Sequence, residues 1–297
     1  MVELSPHRDG WQVHYGGDTL NVALHLTRLG YGVSYLTALG DDPFAGRMRS
    51  SWAREGMDVS LVLNHPERTS GLYAIETDRR GERKFSYWRC ESAARALYEC
   101  EGVDQAEEAA RGADLLFFSL ISLAVLPEEG RSRLLALAAD VRASGGKVAF
   151  DSNYRARLWD SPEVARIWYG KAIALADFGL PTLEDERALG TGETAEDVAT
   201  HWLHSGAGEV VVKMGERGCL LPDGSVLPPP MQFVPLDTSG AGDAFDAGYL
   251  GARLRGDCPE RAAVVAHKLA GWTVMRQGAI PPRDYAAPYA DLTEADG

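Results

Sequence analysis

No run of about 18 consecutive apolar residues occurs in this 297-residue chain, so the sequence gives no support to a membrane-spanning helix. The opening residues, Met1-Val2-Glu3-Leu4-Ser5, lack the basic-then-apolar plan of a signal peptide, and a cytoplasmic protein is expected. Cysteine is scarce: Cys90, Cys100, Cys219 and Cys258 lie far apart and form no C-x-x-C pair, which reads as free thiols in a reducing compartment. Positive charge is also in deficit. Thirty Lys and Arg against 43 Asp and Glu give a net charge of −13, which disfavours nucleic acid and anionic membranes as partners. An anionic small molecule is still allowed, because a few arginines in one pocket outweigh the global field locally. No G-x-x-x-x-G-K-[ST] loop, protein-kinase H-R-D-L-x-x-x-N loop, H-E-x-x-H pair or G-x-S-x-G elbow is found. Internal repeats, low-complexity tracts and clear linkers are missing too.

What is present is the mix of an ordinary globular protein, 45% hydrophobic and 25% charged. That excludes a disordered chain, a collagen-like chain and a small disulfide scaffold. Apolar runs alternate with amphipathic stretches. Leu20 to Leu29 has helical spacing and is closed by Gly30; Gly32 to Leu39 reads as a strand. Further strands are expected at Asp114–Ser119, Lys147–Phe150 and Glu209–Lys213, with a helix over Glu128–Ser144. Pro228-Pro229-Pro230 reads as a rigid connector, and residues 284–297 as a frayed tail. Strands separated by helices predict an α/β fold with a mostly parallel sheet covered on both faces. Although length alone suggests about two domains, one α/β domain over residues 1–297 is expected. Ligands of such sheets lie outside the carboxyl ends of the strands, which here are Ser119–Ser122, Asp151–Arg157 and Lys213–Gly218.

Residues 69–89 break the pattern as two strands joined by a polar turn at Asp78–Glu82, with Tyr73 and Ile75 alternating on one arm and Phe85, Tyr87 and Arg89 on the other. This ribbon is either a sheet edge or a lid that excludes water from a phosphoryl-transfer site.

The segment Asp237-Thr238-Ser239-Gly240-Ala241-Gly242-Asp243-Ala244-Phe245 carries the most chemistry. Its small residues let successive N–H groups converge, and the positive end of the following helix adds to them, forming an anion cradle. A carboxylate in such a cradle repels phosphate, so Asp243 makes sense as the base that takes a proton from an attacking hydroxyl. The other reading is a glycine-rich turn with Asp243 as a helix N-terminal charge.

This segment resembles the C-terminal signature of the ribokinase-type (PfkB) sugar kinase family, and Gly16-Gly17-Asp18-Thr19-Leu20-Asn21-Val22-Ala23 resembles its N-terminal signature. The stretches GLYAIETDRRGERKFSYWR, SLISLAVL, DSNYRARLW and RQGAIPPR narrow the resemblance to the 2-keto-3-deoxygluconate kinase branch of that family, over residues 2 to 283. The resemblance implies a ribokinase-like fold with a small β lid, its segments at about 6–16 and 69–90. It implies ATP and Mg²⁺ as cofactors, an acidic sugar as substrate, and a homo-oligomer formed through the lid. Asp243 matches the catalytic base, and the N–H groups of Gly240, Ala241 and Gly242 match the anion hole. Gly17, Asn21, Ile121 and Tyr87 match sugar-contacting positions; Asp18 and Tyr73 stand where they could join them. Arg89 and Arg155 are candidates for the substrate carboxylate, because a guanidinium makes a planar two-bond fork. Asp151 and Asn153 would then fix Arg155. Lys213, Gly215 and Gly218 resemble the ATP-facing strand and loop, and Gly278 the adenine-side turn. Asp185, in Thr182-Leu183-Glu184-Asp185, stands where the family reaches magnesium through water.

The sequence departs from the family at three places. Relatives begin with a strand carrying Gly-Glu just before the segment matched by Met1–Leu4, so the first core strand is expected to be shortened. Asp246 stands where relatives carry a small residue, and either bonds locally or raises the pKa of Asp243. Leu120 stands where relatives often have glycine, and would narrow the sugar pocket. The resemblance implies phosphorylation of the terminal hydroxyl of 2-keto-3-deoxy-D-gluconate. A kinase of fructose or ribose type and a sugar-binding regulator without catalysis are the alternatives.

Overall fold

The computed structural model describes residues 1–7, 10–77 and 83–293, so the turn expected at Asp78–Glu82 lies outside the described residues. In chain order the strands are β1 (Val2–His7), β2 (Gly10–Tyr15), β3 (Thr37–Gly40), β4 (Val62–His65), β5 (Leu72–Thr77), β6 (Arg83–Trp88), β7 (Leu115–Ser119), β8 (Lys147–Asp151), β9 (Phe178–Gly179), β10 (Glu209–Val210), β11 (Val212–Lys213), β12 (Cys219–Leu220) and β13 (Val226–Leu227). The α-helices are α1 (Asp18–Arg28), α2 (Ala45–Glu55), α3 (Val103–Ala110), α4 (Leu120–Val125), α5 (Glu128–Ala143), α6 (Pro162–Ile173), α7 (Leu183–Leu189), α8 (Ala195–His204), α9 (Ala241–Leu254), α10 (Pro259–Val274) and α11 (Tyr289–Thr293).

Strands β10-β9-β8-β7 form the central sheet, with parallel pairing throughout. Its strand β8 shows why both faces are covered. Val148 and Phe150 point into a core with Phe118, Tyr169 and Trp202, while Ala149, between them, joins a second core with Val22, Phe245, Tyr249 and Leu269. Side chains alternate along a strand, so apolar residues at every position must meet helices on both sides. Around Val211 the alternation repeats, Val210 and Val212 facing the first core and Val211 the second.

The second four-stranded sheet, β2-β1-β5-β6, pairs β1 with β5 in parallel and its other neighbours antiparallel. Here the expected lid segment begins at Val2 rather than at residue 6. Residues 2–7 pair with β2 and β5, and among the described residues β7 ends the central sheet.

Three local expectations change. The strand expected over Gly32–Leu39 contracts to Thr37–Gly40, preceded by an isolated bridge between Ser34 and Asp58. The loop expected after Ser119 is helix α4: Ser119 and Ser122 cap each other's backbone N–H groups in a capping box. The expected tail contains α11, which docks because Tyr289 and Leu292 bury their side chains in the second core.

Candidate active site

Asp151 and Lys213, the last residues of β8 and β11, border one cleft of about 1680 Å³, and Ser119, the last residue of β7, donates to Asp18 in its lining. The N-termini of α1 and α9 and one face of the β2-β1-β5-β6 sheet close it. Register sets that face. Glu3 pairs with Tyr73 and Tyr73 with Tyr87, so the three side chains share one side and all line the cleft.

Helix α9 starts at Gly240, whose φ of 72° is left-handed, and a Cβ there would lie 2.6 Å from the Cβ of Ala279. Only glycine satisfies both demands. The helix has no side-chain N-cap; of its first amides, that of Ala241 donates to the Thr238 carbonyl at 3.3 Å. Gly240→Ala is expected to cost about 1–2 kcal/mol from the backbone conformation alone. Thermal unfolding should show a lower midpoint; an unchanged midpoint and unchanged turnover would contradict this account of the turn.

Asp243 sits in the first turn of α9 and accepts a 2.7 Å hydrogen bond at Oδ2 from Nδ2 of Asn21, in the first turns of α1. Enclosure in the cleft, then the nearby Asp18 charge, push the Asp243 carboxyl up to about 7. Asp18 accepts a bond from the Ser119 hydroxyl, and burial raises its own pKa. Asn21 Oδ1 and Asn153 Oδ1 are buried with no hydrogen-bond partner among the described residues, two acceptors suited to sugar hydroxyls.

Across the cleft, the Arg89 guanidinium lies 4.3 Å from the centre of the Tyr87 ring. Burial lowers its pKa, and Arg155 lowers it further, so the two cations feel one another. Nη1 of Arg155 donates to Oδ1 of Asp185 at 2.9 Å and to the Tyr154 carbonyl at 2.7 Å. Burial raises the Asp185 carboxyl, with the Arg155 charge opposing it.

The cleft lining therefore brings together Gly17, Asp18, Asn21, Tyr73, Tyr87, Arg89, Ile121, Arg155, Asp185, Lys213, Gly240, Ala241, Gly242 and Asp243. Gly215, Gly218 and Gly278 stand outside it. Gly218 closes the β11–β12 turn, its carbonyl accepting from Met214 N at 2.8 Å, and Gly278 N donates to Asp237 Oδ2 at 2.8 Å. The partner of Arg155 is Asp185, whereas Asp151, expected to hold it, accepts from Lys213 at 3.2 Å. Lys213 itself is nearly buried and donates to Asp246 at 2.7 Å, so its ammonium faces two carboxylates rather than open cleft. This also assigns Asp246 a local partner. Leu120 is fully buried in the first core and does not narrow the cleft, because the capped start of α4 turns it inward and leaves Ile121 at the surface of the site.

Among the lining residues that the sequence reading passed over is Glu3. Glu3 accepts from the Tyr73 hydroxyl inside the cleft; the available signal was one acid between Val2 and Leu4. Its neighbour Gly16 has no room for a Cβ, which would meet the Tyr73 hydroxyl at 2.6 Å. Ala279 braces Gly240, a contact between segments about 40 positions apart.

A carboxylate of raised pKa, a helix start without a side-chain N-cap and buried acceptors such as Asn21 Oδ1 stand together in this cleft. The chain belongs to the pfkB family of carbohydrate kinases, whose sequence profile matches residues 2–285. It is 41% identical over 295 residues to the 2-dehydro-3-deoxygluconokinase of Escherichia coli (strain K12), covering 96% of this chain and 95% of that protein. It is 39% identical over 292 residues to the enzyme of the same name from Dickeya dadantii (strain 3937), with 95% and 94% covered. The crystal structure of a PfkB protein from Polaromonas sp. JS666 superposes with a TM-score of 0.80 at 28% identity, covering 98% of this chain and 95% of that one. The fold is accordingly ribokinase-like.

Proposed function

We propose that this protein transfers the γ-phosphoryl group of ATP to the terminal hydroxyl of 2-keto-3-deoxy-D-gluconate, the compound also called 2-dehydro-3-deoxygluconate. The observation that carries this is the convergence in one cleft of Asp243, the uncapped Gly240–Gly242 turn and the guanidinium groups of Arg89 and Arg155. The similarity to 2-dehydro-3-deoxygluconokinases along nearly the whole chain supports the same substrate.

In this reading Asn21 holds Oδ2 of Asp243, leaving Oδ1 to receive the proton of the sugar hydroxyl. The hydroxyl oxygen forms a bond to the γ-phosphorus as the bond to the departing ADP oxygen breaks. The N–H groups of Gly240, Ala241 and Gly242 hold charge on the transferring group. Asn21 Oδ1, Asn153 Oδ1, Asp18 and Glu3 accept from sugar hydroxyls; Gly17, Tyr73, Tyr87 and Ile121 shape the pocket around them. Arg89 and Arg155 receive the substrate carboxylate.

Among the described residues no group of three or more His, Cys, Asp or Glu side chains could hold a metal ion. Asp185, a carboxylate in the cleft lining, would hold a magnesium ion there through water. When bound, the ion neutralises charge on the nucleotide phosphates. Gly215, Gly218 and Gly278, outside the lining described above, would act on the nucleotide only by shaping the turns next to it.

The outer face of the β2-β1-β5-β6 sheet leaves Trp11, Val13 and Trp88 exposed at 54%, 42% and 61%. Trp11 and Val13 share a side with Pro6 and Leu4, and Leu4 pairs through Ala74 toward β6, so the three apolar groups belong to one face. A second copy of the chain is the occupant proposed here. Light scattering should find a dimer or larger assembly, and Trp11→Glu with Trp88→Glu should reduce it to monomer. A wild-type monomer at micromolar concentration would exclude it.

The deciding experiment for the function is a coupled ATP assay across acidic and neutral sugars. Turnover should be fastest with 2-keto-3-deoxygluconate. Faster turnover of fructose or ribose would reassign the substrate, and tight binding without turnover would indicate a sugar-binding regulator.

A further inference from the structure

Lys213 is one of the few lysines in the chain and one of its most buried charged groups, and the phosphoryl-transfer scheme above gives it no step. Its Nζ lies 2.7 Å from Asp246 Oδ1 on α9 and 3.2 Å from Asp151 Oδ1 at the end of β8. All three residues are buried, Lys213 at 6% exposure, Asp151 at 3% and Asp246 at 0%. A Cβ on Gly242 would stand 3.8 Å from Nζ, so the ammonium sits beside the middle of the glycine turn. Asp246 follows Asp243 by one helical turn on the same side of α9.

The first turn of α9 has no side-chain N-cap; on the cleft side it is held by the Asn21 amide on Asp243 at 2.7 Å and by the Ala241 N–H on the Thr238 carbonyl at 3.3 Å. A turn that must present N–H groups within tenths of an ångström of a reacting phosphoryl group needs another anchor. The backbone of Lys213 is itself fixed, its N–H donating to Pro181 O at 2.8 Å next to a parallel bridge with Thr182. The side chain thus connects the ends of two strands to the helix that bears the base.

We propose that Lys213 is a positioning residue for phosphoryl transfer: gripped by Asp151 and Asp246, it fixes the turn that carries Asp243 and the Gly240–Gly242 amides. The catalytic part of this inference rests on the function proposed above; the mechanical part does not. Asp246 is then the helix-side half of the grip.

The test uses the full chain with Lys213→Met and Asp246→Ala combined. This removes the cation together with its closest acid, and Asp151 retains the Asn153 amide at 3.3 Å. The expected result is a kcat lower by about 10–100-fold, with KM for sugar and ATP within about twofold. Amide hydrogen exchange at residues 244–247 should accelerate about tenfold or more, and α10 should be unchanged. Asp246→Ala alone keeps the Lys213–Asp151 pair and provides a second folded variant, with smaller changes in the same direction. A folded double variant with wild-type kcat overturns the proposal, even if it melts earlier, because the trio would then serve stability alone. Unchanged exchange at 244–247 overturns it as well. If the wild-type protein shows no sugar-dependent ATP consumption, the proposed function fails, and the exchange measurement still decides whether the grip exists.

Discussion

Asp243→Asn is expected to lower kcat by about 10³-fold, within the range attributed to a positioned general base, while KM for both substrates changes little. The replacement preserves shape. Only the ability to accept the hydroxyl proton is lost, so a drop confined to kcat separates proton transfer from binding. In the wild-type protein the same group sets the pH profile. With its carboxyl pushed up to about 7, the base is half ionised there. Activity should fall about tenfold per unit below that pH, and the limb should vanish in the asparagine variant's residual rate. Stability should run the opposite way. The folded chain holds this proton up to about 7, whereas the unfolded chain releases it near 3.8. The protonated group's contribution is therefore complete below 4 and is lost as pH rises through 7. Asp243→Asn removes that loss, and its melting temperature should exceed that of the wild type at pH 8. A variant with near-normal kcat would assign the proton to another acceptor.

Arg89→Ala combined with Arg155→Ala should lower kcat/KM for the acidic sugar by about 10²–10³-fold, equivalent to about 3–4 kcal/mol. Neutral sugars should change by less than about fivefold, since they offer no carboxylate to a guanidinium. The two single variants should differ. Arg155 is held by Asp185 and by a backbone carbonyl, so it arrives oriented; Arg89 rests on the Tyr87 ring just past the end of β6. Loss of Arg155 should therefore appear in both kcat and KM, and loss of Arg89 mainly in KM. Equal losses for acidic and neutral sugars would mean that these arginines support the pocket rather than read the substrate.

The parts of the site readable from sequence were those whose chemistry is local. Gly240 and Gly242 beside Asp243 announce a backbone cradle because small side chains and a carboxylate stand within four positions. The alternation Val148-Ala149-Phe150 announces a strand buried on both faces. What could not be read depends on side chains meeting across distance in the chain. Asn21 meets Asp243 over 222 positions, Lys213 meets Asp151 over 62, and Arg155 meets Asp185 over 30. Each polar group has several possible partners in a linear list, and the fold alone selects one. Glu3 was missed for the same reason, since an acid in a short strand looks like a solvated edge until Tyr73 is placed against it. Leu120 misled because a leucine beside a substrate contact looks like lining, whereas the Ser119 cap rotates it into the core.

Asp237 takes the Ser239 amide on one oxygen and the Gly278 amide on the other, both at 2.8 Å. One carboxylate thereby buttons together two stretches at the floor of the cleft. That floor cannot be pried apart without leaving buried acceptors bare. The opposite wall is of different make, since Glu3, Tyr73 and Tyr87 stand on a separate sheet.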